Sequence, residues 1–167
     1  MKNIFKKQTG FTLIELLIFM GIFSILILSM FQLLTSIFDV QLESQSTSVV
    51  SQDGRFILNR LTYDIKNSTS VTTPGVGNQG QTLAVYDGVK TFTYRLSNGN
   101  LTLTNSLTGA TDQLNSFNTS VSNLNFLTLS DNGSGSETVT ISFTINSKVT
   151  RRGGINTENF TMTQGTR

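Results

Sequence analysis

The chain has 167 residues, enough for one modest domain plus an extra element, and only 13% of them are charged. It contains neither Cys nor His, which removes disulfides, thiolate and imidazole catalysis and the usual zinc ligand sets. Lys2, Lys6 and Lys7 precede Gly10, and beyond it nine basic residues face ten acidic ones, so bulk charge does not indicate a nucleic-acid-binding domain.

Residues 11–38 are almost wholly apolar, with Glu15 as their only charge. The run exceeds the roughly 20 residues a helix needs to span a bilayer. It is also longer than the apolar stretch of about 7–15 residues in a secretory signal peptide. The lysines on its N-terminal flank predict a cytoplasmic N-terminus and a translocated C-terminal body. Glu15 is costly here: a carboxylate at the centre of a spanning helix costs on the order of 2.5–3.5 kcal/mol, and less near the end. Thr12 and Glu15 have the spacing of a capping box, with Thr12 as N-cap and Glu15 at the third helical position, where the helix dipole favours it. The next basic residue is Arg55, so a cationic partner for Glu15 within the same span is lacking. A chain cut after Gly10 supplies one, the free amine of Phe11 on a neighbouring copy.

The stretch Gly10-Phe11-Thr12-Leu13-Ile14-Glu15, behind a short basic leader, resembles the prepilin signature of type IV pilins and type II secretion pseudopilins. The resemblance implies cleavage after Gly10 by a membrane prepilin peptidase/methyltransferase, which also methylates the new Phe11 amine. It implies a subunit held in the membrane and then drawn by an inner-membrane assembly platform into a helical filament of pilin or pseudopilin subunits. Glu15 would pair with an N-terminal amine during docking. Many major pilins carry Pro at the mature position occupied here by Gln32, so no Pro kink is expected there, and Gly21 is the one soft point in the span.

Residues 39–67 lack Pro, and Leu42, Val49, Val50, Ile57, Leu61 and Ile65 recur at helical spacing. The spacing predicts one helix from Thr12 to about Asn67, about 80 Å long. Asp53 and Gly54 are expected to loosen it locally, since Gly costs about 1 kcal/mol relative to Ala in a helix. Residues 73–80 read as a loop. Strands are predicted over residues 82–86, 90–96, 100–104, 114–117, 121–129, 137–150 and 159–163. Turns are expected at Asp87 and Gly88 and, most strongly, at Asn98 and Gly99. Phe92, Tyr94 and Leu96 should share one face, as should Val139, Ile141, Phe143 and Ile145. The fold class is α+β: a long N-terminal transmembrane helix packed on an antiparallel sheet, pilin-like in plan. Four segments are expected: a leader at 1–10, a membrane and filament-core helix at 11–38, an amphipathic extension at 39–67, and a β-rich head at 68–167.

The head adds a second resemblance. "QDGRFILNRLTYDIKNS", "FTYRLSNGNLTLT", "VSNLNF" and "TVTISFTI" are similar to motifs of W-type minor pilins and J-type minor pseudopilins. Such subunits are scarce and help to start or cap a filament. The K-type subunits at the very tip commonly lack the acidic residue that Glu15 provides here.

Other candidates read as structural. Asp131 and Glu137 bracket a Gly/Ser-rich stretch that resembles a weak Ca²⁺ loop, but ordinary hairpin chemistry accounts for it. Lys148, Arg151 and Arg152 form a small basic cluster. A solvated strand end is favoured over phosphate contacts, so nucleic acid is a minor alternative partner. Arg60 and Asp64, at i and i+4, suggest a surface ion pair. Ser and Thr residues have no identifiable base, so neither enzymatic activity nor a cofactor is expected. The expected location is the bacterial inner membrane, then the filament at the cell surface. The competing readings are an uncleaved, membrane-anchored binding or adhesion domain and a major pilin.

Overall fold

The structure is a computed structural model that describes residues 10–130, 136–149 and 153–167. Contacts divide the chain into two units, Met1–Gln41 and Leu42–Arg167. One helix, α1 (Leu13–Lys66), contributes to both.

In the first unit the described residues after Thr12 are helical and exposed almost throughout. Leu and Ile dominate, and no Pro interrupts the backbone ladder. Three hydroxyls return to the helix's own carbonyls: Ser24 Oγ donates to Met20 O (2.8 Å), Ser29 Oγ to Leu26 O (2.8 Å) and Thr35 Oγ1 to Gln32 O (2.9 Å). These bonds satisfy donors that lipid would leave unpaired. The helix continues through Gly21 without a break.

The second unit is the head. Its strands, all antiparallel, are β1 (Ser70–Thr73), β2 (Gln79–Gly80), β3 (Thr82–Tyr86), β4 (Thr91–Ser97), β5 (Asn100–Asn105), β6 (Thr111–Gln113), β7 (Thr119–Ser130), β8 (Glu137–Ser147) and β9 (Thr157–Gly165). They make two sheets, ordered β1-β3-β4-β5-β6 and β2-β7-β8-β9, rather than the single sheet expected. The α+β plan therefore holds. Val50, Ile57, Leu61 and Ile65 of the helix enter one core with Leu83, Val85, Tyr94 and Leu101 of the first sheet and Phe126, Val139, Ile141 and Ile145 of the second. Each such buried apolar side chain contributes about 1.5–3 kcal/mol.

Local chemistry explains where the strand expectations held and where they failed. The Asn98 and Gly99 turn forms with φ of 50° and 77°, the positive values a two-residue hairpin loop requires. Tyr94 is buried with Phe92 and Leu96 packed beside it, and the apolar row of β8 faces inward. The apolar alternation of residues 121–129 is broken because β7 carries a bulge between Ser122 and Asn125, with Asn123 at φ 51°. The extra residue moves the buried row from Val121 to Leu124, Phe126 and Thr128. The strand expected at 114–117 is instead β6, just before it. There the buried Asn115 side chain replaces backbone pairing: its Oδ1 accepts from Leu101 N–H (2.9 Å) and its Nδ2 donates to Thr119 O (3.0 Å). The loop at 73–80 contains β2, which pairs Gln79 and Gly80 with Leu127 and Phe126 of β7.

The amphipathic stripe also needs correction. Leu42 is exposed and Val49 only half-buried, while Ser46, Gly54 and Asp64 are buried in their place. Gly54 does not loosen the helix. It makes room for Phe160 of β9, whose ring stacks on Phe143 (centroids 5.4 Å apart). A Cβ at Gly54 would lie 2.0 Å from Phe160 Cζ. Gly54→Ala should therefore destabilise the head by about 1–2 kcal/mol, overpacking outweighing the gain in helix propensity. Urea unfolding of the detergent-solubilised chain measures this, and an unchanged or raised midpoint would mean that the ring moves aside freely.

Candidate functional site

The first candidate lies where α1 begins. Gly10 and Phe11 are exposed ahead of the helix. Thr12 is its N-cap: Thr12 Oγ1 accepts from Glu15 N–H at 3.4 Å and Thr12 O from Leu16 N–H at 3.2 Å. Glu15 stands in the first turn, exposed, among Leu13, Ile14, Leu16 and Leu17, which are exposed too. The helix N-terminus favours the carboxylate, but none of the most apolar window of this helix is buried within the chain. A carboxylate on such a surface is costly once water is withdrawn, and a cation from outside the span would offset that cost.

The head places its charges differently. Arg60 and Asp64 do pair, with Arg60 Nε donating to Asp64 Oδ2 at 2.9 Å, but this is no surface ion pair: Asp64 is 2% exposed. The Tyr94 hydroxyl of β4 donates to the same Oδ2. The Arg60 guanidinium also lies 5.6 Å from the Phe92 ring centroid. Burial, and then the adjacent Asp64 carboxylate, push the Tyr94 phenol far above its ordinary range. A second carboxylate, Asp53, accepts from Ser116 N–H (2.8 Å) and Thr119 Oγ1 (2.5 Å), tying the helix to the start of β7. Both aspartates are cross-braces between α1 and a sheet.

The remaining sequence candidates do not converge. Asp131 lies outside the described residues. The Glu137 carboxylate accepts from Val71 N–H and so joins β8 to β1. Among the described residues no three acidic side chains come together as metal ligands. Arg151 and Arg152 also lie outside the described residues, while Lys148 Nζ sits 5.5 Å from the Phe117 ring centroid. The bracing role of Asp53 and Asp64 escaped sequence reasoning. A signal existed for Asp64: it falls three residues after Leu61, on the buried stripe, and a carboxylate there requires a partner.

An apolar helical span whose one charge stands in its first turn, followed by an antiparallel β head, defines a pilin-like α+β protein with a membrane-type N-terminal helix. Residues 5–31 match the family model described as the prokaryotic N-terminal methylation motif, the N-terminal signature of type IV pilins and pseudopilins. The motif points to a structural subunit and implies processing by prepilin peptidase and assembly with other pilins. Comparison with curated proteins and with solved structures returns no significant match.

Proposed function

We propose that the chain is a minor pilin or pseudopilin, cleaved after Gly10, methylated on Phe11, and docked into a filament through Glu15. The observation that carries this reading is the lone carboxylate, Glu15, exposed in the first turn of an otherwise uncharged apolar span and inside the matched motif. Cleavage creates a cationic amine on Phe11. The same amine on an adjacent subunit would neutralise Glu15 in surroundings where an unpaired charge is costly. Lateral packing of apolar helices then supplies affinity, and the ion pair sets axial register. Before assembly, the subunit sits in the inner membrane with its N-terminus in the cytoplasm and its head outside, as the flanking lysines favour. The W- or J-type role, starting or capping a filament, rests on the head motifs and on the presence of Glu15.

Intact and N-terminal peptide mass of the protein, extracted from membranes of cells with the native peptidase, tests this. The expected product begins at Phe11 and carries one added methyl group. A chain still beginning at Met1 would leave a plain anchor, with Glu15 reduced to a capping residue.

A further inference from the structure

The head exposes its most accessible large apolar side chain, Phe117 (87%), in the segment between β6 and β7. Lys148, exposed just beyond β8, covers one side of the ring at 5.5 Å. Ile155, 61% exposed, precedes β9. Backbone bonds hold these three segments at one end of the second sheet. Lys148 N–H donates to Asn118 O (2.7 Å) and Ser147 N–H to Asn156 O (2.8 Å).

The same end is fastened to the beginning of the head's helix. Asn156 Nδ2 donates to Thr47 Oγ1 (3.4 Å), and Asp53 holds Ser116 and Thr119. Thr47 follows Phe38, the last residue of the apolar run, by nine positions. Asp53 follows Phe38 by fifteen, so about 14 Å and about 22 Å of helix separate these two anchor points from the end of the apolar run. An exposed aromatic ring, an exposed aliphatic side chain and a lysine thus belong to the end of the head whose helix contacts lie nearest in the chain to the apolar run. Exposed Phe and aliphatic side chains bury their apolar area at the boundary between headgroups and acyl chains, and lysine is drawn to anionic headgroups.

We propose that Phe117, Lys148 and Ile155 form a lipid-docking patch that rests the head on an anionic bilayer surface while the subunit waits in the membrane. Phe117 enters the headgroup region and Lys148 contacts lipid phosphate. The patch rests on the membrane anchoring proposed above, but not on cleavage or on filament assembly.

The chain contains no Trp, so Phe117→Trp gives a single fluorescent probe in the full-length protein. The comparison probe is Leu107→Trp. Leu107 is 69% exposed and lies beyond β5, at the opposite end of that strand from Gly99, whose carbonyl accepts from Val121 N–H of β7. Both variants are reconstituted in phosphatidylglycerol-rich vesicles and in phosphatidylcholine vesicles carrying lipid-borne quenchers. Resistance to alkaline extraction verifies the anchoring separately. The indole of Phe117→Trp should be blue-shifted and quenched in the anionic vesicles, and the indole of Leu107→Trp should not. Adding Lys148→Gln should lower the docked-to-undocked ratio about fivefold. Quenching equal at the two positions in firmly anchored protein would overturn the patch. So would a blue shift without lipid quenching, which would mean that protein covers the ring. Quenching indifferent to Lys148→Gln and to headgroup charge would overturn the phosphate contact. Extractable protein would instead refute the anchoring itself.

Discussion

Glu15→Ala is expected to leave membrane insertion intact and to lower incorporation into filaments by at least about tenfold. Insertion should not suffer, because removing a carboxylate from a spanning helix relieves a cost of up to about 2.5–3.5 kcal/mol. On the docking proposed above, assembly should suffer, because the Phe11 amine of the adjacent subunit would then be buried without its counter-charge. Removing one partner of a buried ion pair typically costs about 3–5 kcal/mol. The capping interaction does not explain such a loss, since Thr12 Oγ1 accepts from the backbone N–H of residue 15, which alanine retains. Immunodetection of the variant in sheared filaments and in membranes separates the two effects. Wild-type incorporation would remove the register role from Glu15. A variant missing from membranes would show that the carboxylate acts before assembly.

Asp64→Ala should destabilise the head by about 2–4 kcal/mol. The substitution strands the Tyr94 hydroxyl, which is fully buried, and removes the partner of Arg60. Arg60 is half-exposed and can turn to water, so the stranded hydroxyl and the cavity carry most of the cost. The same triad sets a pH limit. Because the folded-state phenol of Tyr94 is raised, its contribution is fully present below the unfolded value of about 10. It is lost as pH rises beyond that, where the unfolded chain releases a proton that the folded chain retains. Urea midpoints should therefore fall above about pH 10, and Tyr94→Phe should flatten that fall while lowering stability at neutral pH. Parallel alkaline profiles for wild type and Tyr94→Phe would show that Tyr94 ionisation is not what limits the fold.

Much of this protein is legible in its sequence because its decisive features are local. An uninterrupted apolar run long enough to span a bilayer is recognised without any tertiary partner, and one carboxylate in it stands out without knowledge of any tertiary contact. The Asn98 and Gly99 hairpin is equally local, since only residues tolerant of positive φ suit that turn. The alternation of Val139, Ile141, Phe143 and Ile145 records which face of β8 is covered, and the structure buries all four.

What the tertiary structure decided depends on residues far apart in the chain. Gly54 reads as a weak point until Phe160, more than a hundred positions later, occupies the space above it. Asp64 reads as a surface charge until Tyr94 closes over it. The irregular pattern of β7 becomes a bulge only when β8 supplies the register. The division into two sheets has the same origin, because β2 pairs with β7 rather than with its chain neighbours. Hydrophobic periodicity states which side of an element is buried. Which element covers it, and which charge is thereby removed from water, is settled only when the layers pack.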